Sequence, residues 1–176
     1  MKKVLLHICC APCSIYPIRK LIDMGYEVFG FWYNHNIHPY KEYEKRYKEV
    51  VKYLDNINIR LLEKNEYNLE KFMRNVVFRE ESRCSYCYSS RLRQAAIFAK
   101  KGKFDFFTTT LLYSKFQKHN LIKQIGISEA KKYKVKFLYE DFREGWKYGI
   151  KKSRKLNMYR QQYCGCIYSE KDRYLN

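Results

Sequence analysis

The sequence predicts a single α/β domain, residues 1–176, with a mostly parallel sheet flanked by helices and cysteines at the carboxyl rim of the strands. Three observations predict it. Short apolar or aromatic runs alternate with longer stretches of helical spacing, the pattern of parallel strands joined by crossover helices. No internal repeat, low-complexity linker or composition shift divides the chain. At 176 residues it is long enough to bury a core of its own without cross-links.

The elements follow in order. Within Lys2 to Cys9, Val4-Leu5-Leu6-His7-Ile8 is too short for a helix of its own and fits a buried strand. Cys9-Cys10-Ala11-Pro12-Cys13-Ser14 breaks it, and Pro12 can open the helix whose apolar spacing runs from Ser14 to Met24, before Gly25. Glu27 to Tyr33 reads as a second strand, parallel to the first, which leaves the first cysteine cluster at the carboxyl end of strand one. A polar loop, Asn34 to Pro39, precedes an amphipathic helix over Tyr40 to Asn56 with Tyr43, Tyr47, Val50, Val51 and Leu54 on one side. Asn58 to Leu62 is expected as a strand. Asn65 to Glu81 looks helical at first and ends in a loop leading to Cys84, and Ser89 to Lys101 is a buried helix closed by Gly102. Phe104 to Leu112, rich in aromatic and β-branched residues, is the clearest strand, and it puts Thr108 to Thr110 on the same rim as Cys9. Lys118 to Tyr133 fits a helix and Val135 to Tyr139 a last strand, ending at Glu140-Asp141-Phe142. A basic, partly helical tail from Arg143 delivers Cys164-Gly165-Cys166.

Lysine and arginine number 36 against 18 acidic residues, a net charge of +18, and 18 tyrosines and 11 phenylalanines are interleaved with the cations. Such a surface suits a polyanion whose bases stack on rings, although a lysine-rich solvated surface has the same composition. No segment combines a long apolar face with a basic one, so a membrane surface is not the expected partner. No apolar leader follows Met1-Lys2-Lys3, and the apolar run from Val4 to Ala11 is too short to span a bilayer. With an odd count of seven cysteines, a reducing cytoplasm is the expected home.

Those cysteines fall in three clusters, at Cys9-Cys10-x-x-Cys13, Cys84-x-x-Cys87 and Cys164-Gly-Cys166. A single free cysteine is often an inert core residue, but clustering at predicted loops and helix starts points to chemistry. Cys9, Cys10, Cys84 and Cys87 supply four thiolates, a set that zinc and an iron-sulfur cluster both accept. Adjacent cysteines are unusual for zinc, which favours spacings of two to four residues. Cys164 and Cys166, separated by one glycine, can close a small strained ring, and strained disulfides are the labile, redox-active kind. Asp141, at the end of a predicted strand, is a candidate oxygen ligand or proton donor, and Tyr16, Tyr86 and Tyr88 are further proton donors. His35 and His38 admit a metal-ligand reading, but loop histidines are more often capping or surface residues.

Taken together, His7-Ile8-Cys9-Cys10-Ala11-Pro12-Cys13-Ser14, Asn34 to Pro39 with Glu42-Tyr43, Arg83-Cys84-Ser85-Tyr86-Cys87 with Arg91-Leu92, Thr108 to Leu111, Asp141-Phe142 and Tyr159 to Cys166 resemble the QueH family of epoxyqueuosine reductases. The resemblance runs from residue 7 to 169. It implies reduction of the epoxide of epoxyqueuosine to queuosine in transfer RNA anticodon loops, on a Rossmann-like or HUP-like domain. It also implies that Cys9, Cys10, Cys84 and Cys87 hold a 4Fe-4S cluster and that Cys164 and Cys166 are a redox-active pair. A ferredoxin-like electron donor and an additional iron ion are compatible with such a reductase. Phe142-Arg143-Glu144-Gly145-Trp146 departs from the lysine- and glycine-rich stretch expected there. Two other readings use the same features: a zinc-stabilised RNA-binding module without catalysis, and a transfer RNA thiolation enzyme. The second needs a phosphate-cradling loop, and no Gly-rich loop of the Walker or dinucleotide type is present. On the phosphate side, Arg91, Arg93, Lys115, Lys118, Lys151, Lys152 and Arg154 are candidates by their place near the expected rim.

Overall fold

Val4 to His7 are fully buried because β1 (Lys2–His7) is the central strand of the sheet. The computed structural model describes residues 1–175. In chain order, β1 is followed by α1 (Ala11–Asp23), β2 (Tyr26–Trp32), α2 (Tyr40–Asn56), β3 (Leu61–Glu63), α3 (Leu69–Val76), α4 (Arg83–Lys101), β4 (Phe106–Thr109), α5 (His119–Tyr133), β5 (Lys136–Phe137), α6 (Trp146–Lys155) and α7 (Ile167–Tyr174). The strands form one sheet in the order β3-β2-β1-β4-β5, and every neighbouring pair is parallel. Parallel pairing requires crossovers, and the helices that provide them bury the sheet.

The chain winds outward from β1 through β2 to β3, then returns to the other side of β1 for β4 and β5. Between β1 and β4 the direction of winding reverses. Their carboxyl ends therefore splay into a crevice, the place where open parallel sheets bind ligands. In register, His7 stands opposite Thr109 across that seam.

Four elements are shorter than their sequences imply. The aromatic run from Phe104 yields only four strand residues, because the Thr109 hydroxyl accepts a hydrogen bond from the Leu111 amide and caps a 3-10 turn over Thr110–Tyr113. Local side-chain capping here competes successfully with the sheet ladder. The helix expected from Asn65 begins at Leu69, where Asn68 Oδ1 caps the Lys71 amide at 2.8 Å. Edge strands β3 and β5 are short, which limits the unpaired backbone at the sheet margins.

Three helix starts carry thiols, those of α1, α4 and α7, the last with Cys166 as its N-cap residue. Pro12 stands in the first turn of α1, where its missing N–H costs nothing, and Cys10 caps the helix in an extended conformation. Helix α4 begins one residue before Cys84, so the Cys84-x-x-Cys87 pair lies in its first turns and not in a loop. Its buried stripe continues through Arg91, Leu92, Ala95, Ala96 and Ala99, and the three alanines let the helix approach the sheet.

Helix α6 closes the carboxyl rim against α1 and the Thr110–Tyr113 turn, and its glycines permit the approach. A Cβ on Gly149 would stand 2.1 Å from the Tyr113 hydroxyl, which itself donates to the Trp146 carbonyl. Because Tyr113 is buried and cannot swing away, Gly149→Ala should cost about 1–3 kcal/mol of unfolding free energy through overpacking. Denaturant melts of the two proteins measure this, and equal midpoints would show that Tyr113 yields freely.

Candidate metal centre and its cavity

Six of the seven cysteines, Cys9, Cys13, Cys84, Cys87, Cys164 and Cys166, line one cavity of about 700 Å³ at the carboxyl rim. The seventh, Cys10, lies just behind the wall, where its sulfur accepts a hydrogen bond from Gln161 Nε2 at 3.1 Å. No disulfide joins any of them. Three chain segments far apart in sequence are brought together by three local devices.

The first device is the seam between β1 and β4. The Cys9 amide donates to Thr110 Oγ1 at 3.1 Å, and the Thr110 hydroxyl donates to Cys9 Sγ at 3.3 Å. Two residues before Cys9, His7 Nε2 faces the Tyr33 carbonyl and Nδ1 faces Thr109 Oγ1. A carbonyl only accepts, so Nε2 carries the proton and Nδ1 accepts from the threonine. Burial, then the charge of Arg91, holds His7 down to about 4, so the ring is neutral at neutral pH. Fixed in this way, Cys9, Cys10 and Cys13 place their sulfurs within 4.8 Å of one another. No other three histidine, cysteine or acidic side chains converge so closely among the described residues. Hydrogen bonds from Cys10 and Cys13, reinforced by Thr110, lower the Cys9 thiol well below its ordinary value, and Cys10 and Cys13 are raised in turn. Cys9 is thus the member of the trio that most readily gives up its proton to become the thiolate that ligates metal.

Helix geometry provides the second device. Cys84, Cys87 and Arg91 stand at i, i+3 and i+7, on one face of α4, and that face forms the opposite wall. Burial raises the Cys87 thiol strongly, so it keeps its proton until a metal displaces it.

The third device seats the tail. Arg46, buried on α2, pairs with Glu42 at 2.6 Å and donates to the carbonyls of Tyr163 at 3.0 Å and Cys164 at 2.8 Å. The Tyr159 hydroxyl donates to the other Glu42 oxygen at 2.7 Å. From the Asn34–Pro39 loop, the His38 amide donates to the Gly165 carbonyl at 2.8 Å, and His38 Nδ1 accepts from the Ile167 amide at 3.3 Å. Gly165 is needed for this close seating, since a Cβ there would meet Ile37 at 3.3 Å. Cys164 is exposed, with its sulfur accepting from Gln117 Nε2 at 3.3 Å, while Cys166 is buried and caps α7.

The expected site residues therefore separate. Cys9, Cys84 and Cys87 share the cavity with Cys164 and Cys166, and Cys10 adjoins it. Cys13, which the spacing leaves without a role, belongs to the tightest thiol group. Asp141 lies outside the cavity, capping the 3-10 turn Phe142–Gly145, with both oxygens taken by Arg143. That contact holds its carboxyl down to about 2, so it carries no proton at neutral pH. His35 and His38 are both buried and neutral, held to about 3 and 4 by burial. His38 spends both ring nitrogens on protein backbone.

Among the candidate phosphate-binding cations, Arg91 is buried beside the thiols, whereas Lys118 lines the cavity mouth. The cavity wall contains no aspartate or glutamate, yet it carries Arg83, Arg91, Lys118, Arg160 and Arg173. Arg46 escaped the sequence reading. Its signal was a charge within the apolar stripe of α2, three residues after Tyr43 and four before Val50.

A parallel α/β domain whose switch-point cavity is walled by thiols and cations defines a class of protein that could hold a metal on cysteine and receive an anion. Residues 4–172 match the family described as epoxyqueuosine reductase QueH, and the chain belongs to that family. It is 34% identical over 172 residues to the epoxyqueuosine reductase QueH of Dehalococcoides mccartyi, covering 98% of this chain and 94% of that one. Identity to the Thermotoga maritima protein of the same name is 36% over 178 residues, covering 96% and 91%. In fold, the chain is similar to a solved structure described as a predicted subunit of tRNA methyltransferase from Methanocaldococcus jannaschii. That likeness has a TM-score of 0.59 at 13% identity and covers 88% of this chain and 76% of the other. Among the described residues, no helix is long and apolar enough to cross a membrane.

Replacing Arg46 by methionine would leave Glu42 charged without its partner and two tail carbonyls without donors. Breaking a buried pair from one side costs about 3–5 kcal/mol. Amide exchange at Gly165 and Ile167 should accelerate while the β1 amides stay protected. Equal acceleration in both would mean that Arg46 supports the whole fold and not the tail.

Proposed function

We propose that this protein reduces the epoxide of epoxyqueuosine in transfer RNA to queuosine, as an iron-sulfur oxidoreductase of the cytoplasm. The observation that carries the reading is the cavity wall of six thiols and no carboxylate, in a chain that matches the QueH family over residues 4–172. Zinc suits thiols equally well, but it has no redox chemistry, and this reaction consumes electrons.

The residues present fit such a group. Cys9, Cys10, Cys84 and Cys87 are the four thiols we assign to a 4Fe-4S cluster, and Cys13 stands beside Cys9 and Cys10 as a fifth, available to an additional iron ion. When bound, the iron supplies single electrons and a Lewis acid for the epoxide oxygen. Losing that oxygen as water breaks both C–O bonds, leaves the two carbons joined as an alkene, and takes two electrons and two protons. Cys164 and Cys166 closing to a disulfide release that number of each. An external reductant, a ferredoxin-like protein in our reading, then reopens the pair.

The mouth suits an RNA loop. Phe116 is 84% exposed beside Trp146, with a ring-centroid distance of 5.6 Å, and Lys118 and Arg160 line the same opening. Splayed bases stack on such rings while cations hold phosphates. We leave Asp141 out of the proton path, because its carboxylate is neutralised by Arg143 outside the cavity. Of the phenols on the wall, the Tyr88 hydroxyl donates to Gln117, whose amide in turn contacts Cys164.

Anaerobic reconstitution followed by iron and sulfide counting tests the assignment. Cys84→Ala and Cys87→Ala should lose the iron-sulfur absorption. Cys164→Ala and Cys166→Ala should keep it and stop turnover. Equal loss in all four variants would refute this division, and a lone zinc would refute the reductase reading. For the RNA, affinity should fall steeply with salt. Phe116→Ala should weaken binding by about 1–3 kcal/mol without changing iron content; unchanged affinity would remove Phe116 from the interface.

A further inference from the structure

Two arginines are nearly fully buried, and they differ in one respect. Arg46, 2% exposed, has the Glu42 carboxylate at 2.6 Å. Arg91, 3% exposed, has no carboxylate within 4.0 Å among the described residues. Its Nε donates to the Cys87 carbonyl at 3.0 Å, and the Tyr88 ring lies 5.9 Å from its guanidinium carbon. Neither partner carries a formal charge. A buried, unpaired cation is among the costliest arrangements in a protein, so its retention calls for an anion in contact with it.

Among the described residues, the cavity wall contains no carboxylate to meet it. Every ionisable residue on it is a cation, a thiol or a phenol. The guanidinium is also held to the thiol face by helix geometry, four residues from Cys87 and seven from Cys84 on α4. It cannot turn to solvent without unpacking the helix. A metal group ligated by several thiolates carries the net negative charge that the wall lacks.

We propose that Arg91 is the counter-charge of the thiolate-bound metal group and raises its reduction potential by favouring the more negative, reduced state. This rests on the iron-sulfur reading above. Reduction adds an electron to a group that is already anionic, and a cation fixed nearby in a low-dielectric wall stabilises the product more than the starting state. Arg91 is thereby a tuning residue that acts through the metal group and need not touch the RNA.

The test uses anaerobically reconstituted full-length protein, the parent beside Arg91→Gln and Arg91→Lys. Iron and sulfide are counted, the midpoint is titrated with mediator dyes, and thermal melts are recorded with and without iron. With full iron, Arg91→Gln should have a more negative midpoint. A tenfold loss in the ratio of reduced to oxidised forms is about 59 mV for one electron. Arg91→Lys should stay near the parent. Without iron, Arg91→Gln should melt no lower than the parent, because the uncompensated charge is gone, and with iron it should melt lower. Loss of iron from the glutamine variant alone supports the counter-charge as well. Full iron at the parent midpoint overturns the proposal while the iron-sulfur reading stands. So does an Arg91→Gln protein destabilised equally with and without iron, which would make the guanidinium a purely structural group. Zinc in place of iron in the parent overturns both.

Discussion

Parallel pairing on both sides of β1 is the constraint from which the site descends. A central parallel strand forces the chain to wind one way and then the other, so the ends of β1 and β4 must part. The backbone just beyond β1 then lacks a neighbouring strand to satisfy it, and side chains take over. The Cys9 amide turns to the Thr110 hydroxyl, and Thr109 serves both the His7 ring and the Leu111 amide. Threonine suits both tasks, since its branched Cβ favours the strand and its hydroxyl can end it. The same contacts that end the sheet therefore fix the three thiols in space.

The tail with Cys164 and Cys166 depends on a different kind of contact. Between α6 and α7 the chain forms no regular structure, and its anchorage comes from Arg46, Glu42 and His38. Each bond reaches a carbonyl, an amide or a tyrosine hydroxyl, never a thiol. The anchors hold the backbone, and the sulfurs are met by other groups, Cys164 by Gln117 and Cys166 by the Ser169 amide. If Cys164 and Cys166 cycle as the redox pair we propose, a carbonyl-directed clamp of this sort tolerates either state, because the bonded atoms do not change charge when the sulfurs do.

Much of this was legible in the sequence. The five strands, the parallel sheet and the rim position of the first cysteines follow from short apolar runs separated by helical spacing, and Tyr40–Asn56 forms the helix expected of it. Boundaries failed where a side chain competed with the backbone ladder, as at Thr109 and Asn68. The cysteine clusters were legible as motifs, but their distances were not, because convergence of residues 9, 87 and 164 depends on long-range packing. Cys13 gave no sign of its place in the trio. Asp141 seemed suitable from its strand-end position, yet Arg143, two residues on, consumes the carboxylate. That outcome depends on a turn that spacing cannot show.

Under the proposed function, the charge serves two anions at different depths. The 18 acidic residues are absent from the cavity wall, although many surface cations elsewhere have acidic partners. Among the described residues, the wall carries five cations, of which only Arg83 has an acidic partner, Asp172, but those cations do not act alike. Lys118 and Arg160 stand at the mouth, where salt within a Debye length of about 8 Å weakens their hold on a phosphate. Arg91 is buried, and salt screens a buried pair much less than an exposed one. Salt is thus expected to act on substrate capture far more than on the metal group's electrostatics. Raising ionic strength should weaken the grip on RNA while the midpoint of the bound group stays close to where Arg91 sets it, a separation that a cavity with mixed charges at its wall would not have.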